Sequence, residues 1–191
     1  MKRIALLGMP NTGKSTLFNR ISGASARVGN WPGITVDLMS AKILLGGHIA
    51  ELIDLPGIYD LHGFSEDEQV VRHFLTNNPI DLLIVLLNST QIERQLSLLL
   101  QIKKLGFPVV LVLNMADEAK RAGITIDTAS LSAALALPVV QISAKYGDGL
   151  PKALEAATEI INQQQVTSNP KSINLLLQEE SQIEREMEDL I

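Results

Sequence analysis

Short apolar runs alternate with amphipathic stretches along most of the chain. Arg3 to Leu7 is followed by a helical pattern over Ser15 to Ile21, and Leu82 to Leu87 by one over Thr90 to Leu105. Val109 to Leu113 precedes a pattern over Asp127 to Leu135, and Val139 to Ile142 precedes one over Leu150 to Ile161. The short runs suit buried strands, whereas the longer segments repeat their apolar positions at helical spacing. Strands that alternate with helices predict a parallel α/β sheet covered by helices. Two further runs, Leu38 to Leu45 and Ile49 to Ile53, are separated by Gly46 and Gly47 in the manner of a hairpin. One strand should therefore run against the others. The prediction is a mixed, mostly parallel six-stranded sheet.

Two segments interrupt this alternation. Residues 30–35 and 55–68 are rich in Gly, Pro and acidic side chains, which predicts exposed, mobile loops. Near the end, residues 164–171 read as a linker and 172–191 as a C-terminal helix. Ile173, Leu176, Leu177, Ile183, Met187 and Leu190 form a loose apolar stripe on it, opposite an acidic face. A single helix cannot bury such a stripe alone, so the stripe reads as packing against another surface.

Composition narrows the class. A chain of 191 residues with 46% hydrophobic content suits one compact domain and a short appendage. The absence of cysteine excludes disulfides and thiolate chemistry and fits a reducing cytoplasm. The longest apolar run, Leu82 to Leu87, falls far short of the roughly 20 residues that cross a bilayer. The first eight residues carry no signal-peptide core, so a soluble segment is expected. A net charge of −5 argues against general nucleic-acid affinity. His48, His62 and His73 lack metal-ligand spacing and read as ordinary histidines.

The most specific chemistry follows the first strand, where Gly8, Met9, Pro10, Asn11, Thr12, Gly13, Lys14 and Ser15 spell GxxxxGKS. Glycines allow the backbone to wrap a polyphosphate with its N–H groups pointing inward, and the helix that starts near Gly13 adds its positive end. Lys14 would reach the β- and γ-phosphates, and the Ser15 hydroxyl would meet a bridging Mg²⁺, with Thr16 beside it. A bare strand-to-helix turn has no need of Lys and Ser together after its second glycine.

Other strand ends extend the site. Asp54 closes an apolar strand ahead of Leu55, Pro56 and Gly57, where open α/β sheets bind ligands. Its carboxylate is suited to Mg²⁺ through a water, and Gly57 leaves its amide free to approach a γ-phosphate. A Thr hydroxyl in the first loop can complete Mg²⁺ coordination, although position alone does not separate Thr35 from Ser22 or Ser25. Asn114 and Asp117 form NxxD after another strand; a carboxylate accepts from guanine N1–H and N2–H₂, and adenine has no such donor pair. Ser143, Ala144 and Lys145 follow a fourth strand, so their amides are available to the guanine O6 while Lys145 covers the ring. Each of these short patterns is weak alone and specific in this order.

GMPNTGKS, the Thr of NWPGIT, DLPG, NMAD and SAK together resemble the signature elements of small GTP-binding domains, a Ras-like G domain of the P-loop NTPase class, over roughly residues 1–163. Within that superfamily VGNWPGIT, DLPGIYDL and Met115 are similar to the cytoplasmic G domain of the ferrous iron transporter B (FeoB) family. The resemblance implies binding of GTP and GDP with Mg²⁺, slow hydrolysis of GTP, Thr35 as the Mg²⁺ ligand, and catalytic roles for Asn11, Lys14, Thr35 and Gly57. It also implies a membrane-embedded iron-permeation domain as partner and a location at the cytoplasmic face of the bacterial inner membrane. Small accessory proteins and a second copy of the chain are compatible partners; nucleic acid is not expected.

Two positions depart from signalling GTPases. Ile58 stands where those enzymes place a water-orienting Gln, so the backbone of the two loops is expected to position the water. Asn11 suits a turn and equally suits a K⁺ ligand; resemblance to cation-dependent GTPases favours the second, with carbonyls of Gly29 and Trp31 completing the K⁺ site. Trp31 would otherwise serve as a surface anchor. An RNA-associated GTPase of ribosome assembly or tRNA modification shares these loops, and a nucleotide-dependent interaction module is the other alternative.

Overall fold

In the computed structural model, which describes residues 1–164, a seven-stranded sheet is built in the order β2-β3-β4-β1-β5-β6-β7. The strands are β1 (Lys2–Gly8), β2 (Ala26–Gly29), β3 (Leu38–Leu45), β4 (His48–Asp54), β5 (Leu82–Asn88), β6 (Val109–Asn114) and β7 (Val139–Gln141). Pairing is parallel from β4 through β7, while β3 runs antiparallel to both of its neighbours. One strand therefore opposes the rest, as the Gly46–Gly47 hairpin predicts. The sheet gains a seventh strand over the six expected. β2 is only four residues long and half to fully exposed, so no apolar alternation marks it; its ladder with β3, Arg27 opposite Ser40, creates it.

The helices are α1 (Lys14–Ser22), α2 (Glu66–Asn77), α3 (Ile92–Lys104), α4 (Ala116–Arg121), α5 (Thr128–Leu135) and α6 (Leu150–Gln163). β1, β5 and β6 are buried along nearly their whole length because helices cover both faces of the sheet. On one face Leu17 and Phe18 of α1 and Ala153, Ala157 and Ile161 of α6 pack on Leu6, Leu52, Leu86 and Val112. On the other, Val71 and Phe74 of α2 and Leu98 and Ile102 of α3 pack on Ala5, Leu7, Val85 and Leu111. Chain order reverses around β1, which lies between β4 and β5, so the loop after β1 opens at the point where such sheets bind ligands.

The segment 55–68 differs from its expectation of an exposed loop. Leu55, Ile58 and Leu61 are at most 1% exposed and join the core, and the acidic run that follows is the first turn of α2. Ser65 caps that helix: its hydroxyl accepts from Glu68 N, and the Glu68 carboxylate accepts from Ser65 N, a reciprocal capping box. Burial works against ionisation of Glu68, but bonds from the Ser65 side chain and amide outweigh it and hold the carboxyl below its usual range. The linker and C-terminal helix expected beyond α6 lie outside the described residues, apart from Gln164, whose side-chain amide donates to Asp81 O. Among the described residues no helix is long and apolar enough to cross a membrane.

Candidate functional site

The turn between β1 and α1 is shaped by backbone that few side chains permit. Gly13 adopts φ 85° and a Cβ there would collide with the Asn114 amide; a Cβ on Gly8 would stand 2.6 Å from Leu86 O. Asn11 holds φ 62°, a conformation that Asn tolerates better than most residues. Thr12 is fully buried and donates to Met9 O, closing the loop on itself. The result presents the N-terminus of α1, with no side chain capping it, at the carboxyl edge of the sheet. An uncapped helix start with inward N–H groups is suited to phosphate.

Lys14 and Ser15 converge on Asp54. Lys14 Nζ lies 2.9 Å from Asp54 Oδ1 and Ser15 Oγ donates to Asp54 Oδ2 at 3.2 Å. A hydroxyl and a carboxylate in this arrangement form a hard-oxygen donor set, so the residues present fit Mg²⁺. The loop that follows Asp54 is laid directly on the phosphate loop: Leu55 N donates to Leu6 O and Ile58 N to Gly8 O. A Cβ on Gly57 would stand 2.9 Å from both N and Cα of Pro10, so only glycine allows this approach. The Ile58 side chain is turned into the core, which accounts for an apolar residue where water-orienting chemistry would require a polar one.

At the far side of the cleft Asn114 acts as a brace. Buried, it donates from Nδ2 to Thr12 O at 2.8 Å and accepts from Ala144 N on Oδ1 at 2.9 Å, tying the phosphate loop to residues 143–145. Met115 holds φ 62° as the N-cap of α4, a left-handed turn between β6 and that helix. Asp117 Oδ1 accepts from Ser143 Oγ at 2.9 Å and Oδ2 pairs with Arg121 at 2.9 Å. The Ser143 hydroxyl, the largest influence, holds the carboxyl below its usual range, which keeps it an acceptor of hydrogen bonds. Ala144 is buried, and the Lys145 ammonium lies 5.2 Å from the Tyr146 ring.

The remaining predicted site residues lie elsewhere. Thr35 is exposed and donates to Glu66 Oε1 at the start of α2, while Thr16 is exposed on α1. Gly29 is held in β2 opposite Leu38. The Trp31 ring packs edge-on against Phe74, centroids 4.9 Å apart, with the Arg3 guanidinium 5.3 Å away. The indole also neighbours the end of β2, where a Cβ on Gly29 would stand 3.6 Å from Trp31 Nε1. Its contact with Phe74 ties Trp31 to α2. Arg20, absent from the sequence expectations, also meets the site: it bonds the carbonyls of Ala144 and Lys145. No motif marks an arginine one turn from a helix end.

Comparison with known proteins follows the same lines. Residues 2–157 match the family described as ferrous iron transport protein B. The Fe(2+) transporter FeoB of Synechocystis sp. is 52% identical over 176 residues, covering 92% of this chain and 29% of that protein. The Fe(2+) transporter FeoB of Campylobacter jejuni is 44% identical over 153 residues, covering 80% of this chain and 25% of the relative. The chain thus spans less than a third of either relative. Among solved structures, the cytosolic domain of L. pneumophila FeoB superposes with a TM-score of 0.79 at 40% identity, over 83% of this chain and 68% of that one. The cytosolic domain of the T. maritima FeoB iron transporter in its GMPPNP form gives 0.81 at 38% identity, over 87% and 66%.

Proposed function

The chain belongs to the ferrous iron transport protein B family, and from that premise we propose that residues 1–163 form the GTP-binding and GTP-hydrolysing regulatory domain of a bacterial ferrous iron transporter. The observation that carries this reading is the pair of hydrogen bonds made by the Asn114 side chain, which ties the phosphate loop to the 143–145 loop. Relatives whose structures are described in GDP and GMPPNP forms support guanine nucleotides as the ligand. Family membership favours this reading over the RNA-associated GTPases that share its loops.

Each residue then has a role that its geometry suits. The backbone N–H groups of the 11–15 segment and the start of α1 surround the phosphates, and Lys14 exchanges Asp54 for the β- and γ-phosphate oxygens. Asp117 accepts from guanine N1–H and N2–H₂. Gly57, pressed on Pro10, offers its amide to the γ-phosphate, so the 55–64 loop reports on that group. A water attacks the γ-phosphorus as the bond to the β-phosphate oxygen breaks, giving GDP and inorganic phosphate. With Ile58 buried, backbone groups of the two loops position that water. Mg²⁺, held by Ser15, by Thr35 once it leaves Glu66, and by Asp54 through water, would neutralise charge shared by the β- and γ-phosphates.

K⁺ is the proposed further activator, with the Asn11 side chain as a ligand and the Gly29 and Trp31 carbonyls recruited when the 30–37 segment leaves Phe74 and Arg3. The membrane-embedded iron-permeation domain is the proposed partner, in the part of the relatives' length that this chain does not span, with the G domain at the cytoplasmic face. Small accessory proteins and self-association are compatible with that arrangement. GTP turnover in KCl and in NaCl at equal ionic strength, with Mg²⁺ and with Asn11→Ala beside the wild type, tests the cation role. Stimulation by K⁺ that disappears in the variant is expected; equal slow rates in all four conditions would refute it.

A further inference from the structure

Arg20 lies about 9 Å along α1 from Lys14, on the helix whose start carries the phosphate site. Its guanidinium reaches the 143–148 loop, donating from Nε to Ala144 O at 2.6 Å and from Nη2 to Lys145 O at 2.7 Å. The fork therefore satisfies two successive carbonyls, a geometry that suits arginine and not lysine. The loop closes over it: a Cβ on Gly147, which adopts φ 84°, would stand 3.0 Å from Nη1.

A trans peptide is planar, and its C=O and N–H point in opposite directions. Holding Ala144 O toward α1 therefore turns the Lys145 N–H away from α1. The neighbouring donors are already used: Ala144 N by Asn114 Oδ1, and Tyr146 N and Gly147 N by Ser143 O. Among the described residues the Lys145 N–H bonds no protein acceptor, so it is available to a ligand. We propose that Arg20 is a positioning residue for base recognition, holding the Lys145 N–H so that it meets the O6 of a bound guanine. This rests on the guanine-nucleotide reading of the same cleft.

The test uses three diphosphates and the fluorescence or calorimetry of their binding. GDP carries every group, IDP lacks only the 2-amino group, and the 2-aminopurine riboside diphosphate lacks O6 and N1–H. In Arg20→Ala, GDP binding should weaken about ten-fold, the loss expected of one well-placed hydrogen bond. The preference for GDP over the 2-aminopurine analogue should shrink by the same factor, while the preference for GDP over IDP, set at Asp117, should stay as in the wild type. Arg20→Lys, with a charge but no fork, should fall between, and the melting temperature of each nucleotide-free variant checks folding. A uniform loss across all three ligands, or none, would overturn the positioning role. A wild type that binds all three alike would instead overturn the guanine reading itself.

Discussion

The Lys14 ammonium lies 2.9 Å from Asp54 Oδ1, and both side chains are close to nine-tenths buried, at 10% and 12% exposure. The lysine that would hold phosphate is thus neutralised by the carboxylate that closes β4. A buried ion pair that loses one partner leaves an uncompensated charge. Asp54→Asn should therefore destabilise the nucleotide-free protein by about 3 kcal/mol, read from urea unfolding. Adding saturating GDP in EDTA should shrink the gap between variant and wild type, because the phosphates then supply Lys14 with its counter-charge. A gap of equal size with and without GDP would mean that Asp54 acts through something other than Lys14.

Asn114 joins two loops that share no other side-chain bond among the described residues. Asn114→Ala would leave Thr12 O and Ala144 N without partners inside the protein, at about 1–3 kcal/mol for each buried group. Both unfolding free energy and GDP affinity should fall. Asn114→Asp separates the two ends, since a carboxylate still accepts from Ala144 N but cannot donate to Thr12 O. A variant that binds GDP as tightly as the wild type would contradict the brace.

Much of this was legible from the chain, and the misses have physical causes. The glycines and the Lys–Ser pair of residues 8–15 mark that loop locally, although Leu86 O and the Asn114 amide are what leave no room for a Cβ at Gly8 and Gly13. The run 55–68 carries Pro, Gly and acids that read as exposed loop, yet Leu55, Ile58 and Leu61 are pulled into the core because the loop docks on Gly8 and Pro10. Ser65 and Glu68 already spell a capping box, and Val70, Val71, Phe74 and Leu75 follow at helical spacing; the surrounding charge obscured α2. β2 exists through pairing with β3, and Arg20 matters through two carbonyls more than a hundred residues away, so neither has a local signature.

Asp117 supplies a pH dependence. Its pKa in the folded protein lies below the unfolded value, chiefly through the Ser143 hydroxyl. The associated stabilisation is therefore fully present above the unfolded carboxylate value and is lost as pH falls through the folded one. Removing the hydroxyl in Ser143→Ala raises the folded pKa toward the ordinary range. The acid limb of GDP affinity should then begin at higher pH in the variant than in the wild type. Because titration of the phosphates is common to both proteins, the separation of the two limbs reports on Asp117 alone; coincident limbs would show that the Ser143 bond does not tune the Asp117 carboxylate.

The proposed activity is binding and hydrolysis of a guanine nucleotide read by Asp117. The most direct measurement is turnover of GTP, XTP and ATP by the wild type and by Asp117→Asn. Xanthine presents an oxygen where guanine presents its 2-amino group, so an amide donor suits it and a carboxylate does not. GTP is the expected wild-type substrate, with little turnover of ATP and a switch of preference to XTP in the variant. Equal turnover of GTP and ATP by the wild type, or loss of GTP turnover in the variant with no gain for XTP, would contradict it.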